Sequence, residues 1–221
     1  FVLRNYVALS GKKAWAEYRA RGRESLGDGR VVVGALKLWL DGALGSRGAA
    51  LHSPYCDDPG NRGLILIPPD ELLRLLAEAR DAGFQACVHA IGDRANTLTL
   101  DAMEKTGVAG RRFRIEHAQV LTPADVPRFA QLGVIPSMQQ THCTSDMRWA
   151  GERLGPDRLP GAYAWRSLLD TGTIIAGGSD FPVEDANPFH GLHAAVTRRP
   201  LDDEHPGWQP EQRMTRLEAV R

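Results

Sequence analysis

Phe84-Gln-Ala-Cys-Val-His-Ala-Ile-Gly-Asp-Arg94 is a short apolar run that ends in His89 and breaks almost at once at Gly92. Its length and composition are those of a buried strand, and the break places an imidazole at the strand's carboxyl end. The same grammar occurs twice more. Arg112-Phe-Arg-Ile-Glu-His117 ends in a histidine before Ala118-Gln119, and Thr173-Ile-Ile-Ala-Gly-Gly-Ser-Asp180 ends in an aspartate before Phe181-Pro182. Three strands, each tipped by a residue of a metal-ligand type, point to one shared site.

Outward from these runs the chain alternates between two periods. Residues 2–9 read as a strand and 12–24 as a helix; Gly27-Asp-Gly29 breaks the chain before a nearly continuous aliphatic strand over 31–40, interrupted only by Lys37. Residues 41–63, rich in Gly, Ser and Pro, read as a long functional loop. A helix follows over 70–82, with Leu72, Leu75, Leu76 and Ala79 on one face, and another over about 94–105. Beyond His117, Thr122-Pro-Ala-Asp125 reads as a helix start, with Thr122 as cap and Pro123 in the first turn. Residues 134–138 form the next strand, opening into a polar loop over 139–146 that carries His142. Trp165, Leu168 and Leu169 mark a helix, and Phe189, Leu192 and Val196 the last clear helical face. Thr215-Arg-Leu-Glu218 has the spacing of a capping box.

Strands that alternate with helices and read as apolar throughout indicate a parallel sheet covered on both faces. The count is six strands, where a closed (β/α)8 barrel has eight and about 250 residues. The 221 residues and 43% apolar composition suffice for one sizeable core. Residues 1–200 are expected to form a partial barrel and 201–221 a loop with the start of a C-terminal helix, both ends looking cut. An open barrel would expose apolar edges, so a homo-oligomer or a partner chain is an expected way to cover them.

Composition narrows the functional classes. With 27 basic and 27 acidic side chains and no long basic run, nucleic acid is not an expected partner. No apolar run approaches the roughly 20 residues that span a bilayer and the start lacks the shape of a signal peptide, so a membrane is not expected either and the expected location is cytoplasmic. Cys56, Cys87 and Cys143 are three, widely spaced and without a CxxC pair, which argues against a disulfide framework. Cys87, inside a strand, reads as a small buried apolar residue.

In a parallel barrel, side chains at the carboxyl ends of the strands converge on one mouth, so His89, His117, Asp180 and Lys37 can meet although distant in sequence. Imidazole nitrogen and carboxylate oxygen suit zinc and related divalent ions, and an open coordination position acidifies a bound water. Each residue alone has a plainer role. A strand-end histidine commonly packs as a hydrogen-bonded structural group, Asp180 suits a turn or cap, and Lys37 can reach out of the sheet along its aliphatic stem. The coincidence of two histidines and an aspartate at matching strand ends favours a site.

Lys37-Leu-Trp-Leu-Asp-Gly-Ala-Leu-Gly-Ser-Arg47, His89-Ala-Ile-Gly-Asp-Arg-Ala95, Arg114-Ile-Glu-His-Ala-Gln119, Gly178-Ser-Asp-Phe-Pro-Val-Glu184 and Trp208-Gln-Pro-Glu-Gln212 resemble, in order, the successive blocks of the amidohydrolase superfamily. More narrowly they resemble amidohydrolase family 3, which includes exoenzyme regulatory proteins and N-substituted formamide deformylases. The resemblance implies a TIM-barrel hydrolase of which this chain holds strands three to eight. It places Lys37 on the fourth strand, His89 on the fifth, His117 on the sixth and Asp180 on the eighth. It further implies one or two divalent ions, zinc foremost, with a carboxylated Lys37 bridging two metals, the histidines holding one of them, and Asp180 taking the proton from the attacking water. Arg47, Arg94 and His142 are then candidate contacts for a small-molecule substrate carrying an amide or formamide-like C–N bond. The family's first strand carries a His-x-His pair that occurs nowhere in these 221 residues, and Gln140 stands where the family pattern has proline. Two alternatives follow: a mononuclear, deaminase-like hydrolase in which Lys37 only packs, and a non-catalytic regulatory or relic barrel.

Overall fold

The computed structural model describes residues 3–202 and 204–221. Among these, strand β1 (Asn5–Leu9), helix α1 (Lys12–Arg21), a short strand β2 (Glu24–Leu26) and the long strand β3 (Val31–Trp39) open the chain. Then come α2 (Pro69–Asp81), β4 (Gln85–Ala90), α3 (Asp93–Thr106), β5 (Arg114–His117), α4 (Val126–Leu132) and β6 (Ile135–Met138). The rest is α5 (Gln140–Asp146), α6 (Ala150–Leu154), α7 (Trp165–Asp170), β7 (Ala176–Gly177), α8 (Pro188–Thr197) and α9 (Arg216–Ala219).

Six strands pair in parallel in the order β1-β3-β4-β5-β6-β7, and β2 lies antiparallel against the start of β3. Chain-order neighbours joined by helical crossovers are the wall of a (β/α) barrel, here a curled partial one. β2 was not expected: residues 24–26 follow a helix-rich stretch, yet Gly27 and Gly29, both at positive φ, fold them back onto residues 31–33. The expected strand start at Val2 lies outside the described residues. β7 is shorter than the run over 173–180 implied, because it pairs on one side only, with β6.

The pleat divides the sheet into two chemically different faces. Leu36, Leu38, Ala86, Val88, Ala90 and Ile115 alternate onto the helix-facing side and join Leu72, Leu76, Ala79, Leu100 and Met103 in one core. The opposite face is polar. Register aligns Lys37 with Cys87 and Arg114, and Trp39 with His89, Glu116 and Ser137. The sequence reading of strands apolar throughout thus holds for the helix-facing rows and fails for the inner ones.

Local signals set the helix boundaries. α2 begins with Pro69, Asp70 and Glu71 in its first turn, where proline lacks nothing and acids meet the positive dipole end. α3 and α4 stop at Gly107 and Gly133, both left-handed. The capping box is present: Thr215 Oγ1 accepts from Glu218 N at 3.3 Å and Glu218 Oε2 accepts from Thr215 N at 2.7 Å. Three expectations are corrected. Thr122 closes a turn onto Asp125 N, so α4 starts at Val126 rather than at Thr122. Residues 140–146 are helical rather than loop. Phe189, placed on the buried face of α8 by its spacing, is 73% exposed, and Ala194 and Ala195 are buried instead.

The long segment 41–63 has only turns and isolated pairing, yet it is packed. Leu44, Ala49, Ala50, Leu51 and Tyr55 are all buried, Tyr55 OH donates to Ala49 O at 2.8 Å, and Arg158 donates to the carbonyls of Ser53 and Pro54. It passes so close to the turn after β4 that a Cβ at Gly92 would lie 2.0 Å from Ala50 O. Gly92→Ala is therefore expected to force the two loops apart and lower the urea stability by about 1–3 kcal/mol, although φ at Gly92 is an ordinary −72°. Unchanged stability would show that the loops separate freely.

Candidate active site at the barrel mouth

β4 and β5 are neighbours, so their carboxyl ends deliver His89 and His117 side by side, with ring centroids 4.6 Å apart and planes at 71°. Pleat parity alone does not do this. His117 pairs with Ala90, one position beyond the row that holds His89 and Glu116, and so belongs to the helix-facing side. A left-handed backbone at His117 (φ 74°) and Ala118 (φ 43°) breaks the alternation and brings the ring to His89. Such a conformation costs a non-glycine residue about 1–2 kcal/mol, and it concentrates at functional sites.

The two rings are held differently. His117 Nδ1 meets Gln139 Oε1 at 2.7 Å. Among the described residues His89 Nε2 is buried with no hydrogen-bond partner, lying 3.4 Å from Asp41 Oδ1 without hydrogen-bond alignment. Burial lowers the pKa of His89 to about 3, helped by the His117 ring and Lys37. Burial likewise lowers that of His117 to about 4, with His142 and Lys37 adding to it. Both imidazoles are neutral at pH 7 and present nitrogen lone pairs.

Lys37 extends from β3 on the inner face, its Nζ 5.6 Å from the centre of the Trp39 ring. Burial pulls its pKa down, opposed by Glu116, Cys87 and Asp180. Asp180 stands on the loop after β7, exposed and with φ 56°, in electrostatic reach of both Lys37 and His89. His142, on α5, stacks almost parallel on His117, 5.8 Å centroid to centroid and 13° between planes. Lys37, His89, His117, Asp180 and His142 are thus brought to one mouth. Arg47 is not free to join them: its Nη2 lies 2.9 Å from Asp57 Oδ2, a carboxylate it shares with Arg153. Arg94 is exposed on the first turn of α3.

The reading from sequence passed over Asp41. It is 1% exposed, and its carboxylate accepts from Ala50 N at 2.9 Å, Ile91 N at 3.0 Å and Gly92 N at 2.8 Å. Its pKa is raised to about 7 because burial outweighs those three donors. The signal was present, since Leu40-Asp41-Gly42 has the same strand-then-glycine ending as the His89 strand. Gln139, directly after β6, and Glu116, ion-paired to Arg114 at 2.8 Å beside the site, were missed as well.

The residues suit a divalent metal in part. A buried, unpartnered imidazole nitrogen next to a second neutral imidazole is half of a donor set. Among the described residues no group of three or more His, Cys, Asp or Glu is arranged to hold an ion.

With this geometry in view, comparison with known proteins is specific. The amidohydrolase family pattern matches residues 6–221, and the chain belongs to that family. It is 39% identical over 195 residues to LONG AFTER FAR-RED 3 of Arabidopsis thaliana, covering 86% of this chain and 33% of that protein. It is 38% identical over 200 residues to the amidohydrolase YtcJ of Bacillus subtilis, covering 90% and 38%. The crystal structure of a metal-dependent hydrolase from Pyrococcus furiosus superposes with a TM-score of 0.85 and 31% identity, over 98% of this chain and 44% of that one. The chain spans about a third of the length of the relatives it matches.

The neutral histidines carry a pH dependence. An unfolded chain protonates them below about 6.5, whereas the folded one keeps them neutral down to about 4 and 3. Stability present above pH 6.5 is lost as the pH falls through that window. Asp41, raised to about 7, pulls the other way, and two rings outweigh one carboxyl. The urea midpoint of the metal-free protein is expected to drop between pH 7 and pH 5, and the drop to vanish or reverse in a His89→Gln/His117→Gln double variant. An equal drop in both proteins would contradict it.

Proposed function

We propose that this chain carries the strand-end residues of a metal-dependent hydrolase that cleaves a non-peptide C–N bond, an amide or formamide-like linkage. The observation that carries the reading is the pair of neutral imidazoles from adjacent strands, His117 buried and His89 with a buried nitrogen that has no hydrogen-bond partner among the described residues, beside a desolvated lysine. Membership of the amidohydrolase family supports the reaction class.

His89 and His117 would hold a divalent ion, zinc by donor type, and Lys37 would join them as its carbamate. When bound, such an ion acidifies a water and polarises a carbonyl oxygen. The chain's own groups do the remaining work. Burial favours the uncharged amine of Lys37, the form that adds carbon dioxide, and among the described residues Glu116 and Asp180 oppose this at a distance with no acid hydrogen-bonded to Nζ. Asp180 is exposed at the mouth and its carboxylate makes no hydrogen bond among the described residues. It is therefore available to take a proton from the attacking water and return it to the leaving nitrogen. His142, stacked on His117, presents a buried Nε2 without a partner as a contact for a polar group of the substrate. Arg94 lies at the rim as a weaker contact, whereas Arg47 serves the substrate only if Asp57 releases it.

One observation favours a mononuclear variant. Lys37 Nζ has the Trp39 ring as a cation–π partner and needs no modification to be accommodated. Labelling with 13C-bicarbonate separates the two, a carbamate resonance lost in Lys37→Arg being the outcome expected for the bridged site.

In the intact protein, Asp180→Asn is expected to lower kcat for acyl amides or formamides by 10²-fold or more, and His117→Ala to lower bound zinc together with activity. Undiminished turnover in either variant would overturn the mechanism. A wild-type protein that takes up no zinc would point to a non-catalytic barrel.

A further inference from the structure

Gln139 leaves β6 with an extended backbone, φ −111°, and its side chain is buried between the strand end and His117. Two contacts fix its amide. Nε2 lies 3.2 Å from the carbonyl oxygen of Ser137, and Oε1 lies 2.7 Å from His117 Nδ1. A peptide carbonyl can only accept, so the atom facing Ser137 is the NH2 group and the flip of the amide is determined by chemistry. The atom facing His117 is then the amide oxygen, which also only accepts. His117 Nδ1 must therefore carry a proton. The ring lies against His89 and His142, and in its neutral form a proton on Nδ1 leaves Nε2 with the lone pair.

We infer that Gln139 is a positioning residue that sets the tautomer of His117, keeping the proton on Nδ1 and leaving the lone pair on Nε2, on the ring edge turned away from Gln139. Its importance for catalysis rests on the hydrolase reading above; the tautomer itself does not. The residue type suits the task. An amide oxygen orients the ring without adding charge, whereas a carboxylate there would fix the same tautomer and raise the basicity of the ring. A hydrocarbon would leave the buried Nδ1–H unpaired and release the ring to exchange tautomers. The stacked His142 and the perpendicular His89 fix the plane of the ring, and Gln139 fixes which nitrogen faces where within that plane.

Long-range 1H–15N correlation spectra of the metal-stripped, 15N-labelled protein test this directly, with His117 assigned by the loss of its signals in His117→Gln. The expected result is a pyrrole-type shift on Nδ1 and a pyridine-type shift on Nε2 at pH 7. Gln139→Leu is expected to move His117 to the other tautomer or to a mixture, and to weaken zinc binding 10- to 100-fold. Gln139→Glu, which still accepts at the same place, is expected to restore the Nδ1–H form. A wild-type His117 protonated on Nε2 overturns the inference whether or not any variant folds, and so does an unchanged tautomer in Gln139→Leu. If the tautomer is as assigned and responds to Gln139 but the wild-type protein takes up no zinc, the positioning stands and the metal reading falls.

Discussion

The mouth of this sheet is organised by one buried carboxylate. Asp41, two residues past the end of β3, accepts from the backbone of Ala50 in the long loop and from Ile91 and Gly92 in the turn after β4. A carboxylate is the one side chain with enough acceptor sites to satisfy three converging N–H groups, and deep burial makes each of those bonds costly to lose. The clamp is reciprocated, since Ala50 O accepts from Arg94 N and Ala95 N at the start of α3. Only glycine at position 92 permits that approach. His89, two residues before the clamped turn, thereby inherits a fixed position.

The second constraint is the break in strand alternation at His117. A regular strand puts alternate residues on opposite faces, so two neighbouring strands in this register would send His89 inward and His117 toward the helices. Two consecutive left-handed residues reverse the second of these, at an energetic cost that the surrounding packing must offset. Gln139 from the next strand then receives the relocated ring. Three adjacent strands are thus coupled through the site: β4 supplies one imidazole, β5 the other, and the end of β6 the group that orients it. The same economy extends outward to α5, whose His142 covers the far side of the ring.

Much of this was legible in the sequence because it depends on period and punctuation. The strand-end histidines, the aspartate after Gly178-Ser179, the core face of α2 and the capping box at Thr215 are all local patterns, and the family blocks add the barrel order. What escaped depends on contacts between distant segments. Asp41 looks like a turn residue until Ile91 and Gly92 arrive beside it, 50 residues on. Gln139 has meaning only once His117 is known to face it, and the left-handed backbone of His117 leaves no mark in residue type, as a glycine would have. Arg47, a candidate substrate contact by the family resemblance, is ion-paired to Asp57, a partner that its own position in the loop does not announce. The helix at 140–146 was hidden by a polar composition with weak helix formers, which tertiary contacts with α8 override.

Whether His89 and His117 share a metal ion decides the chemistry of this mouth. Anomalous scattering from crystals of the zinc-loaded intact protein, collected on both sides of the zinc edge, tests that most directly. The predicted result is a peak at about 2.0–2.1 Å from one nitrogen of each ring, reached on His117 through Nε2. An ion bound elsewhere, or two imidazoles with no peak between them under saturating zinc, would contradict it.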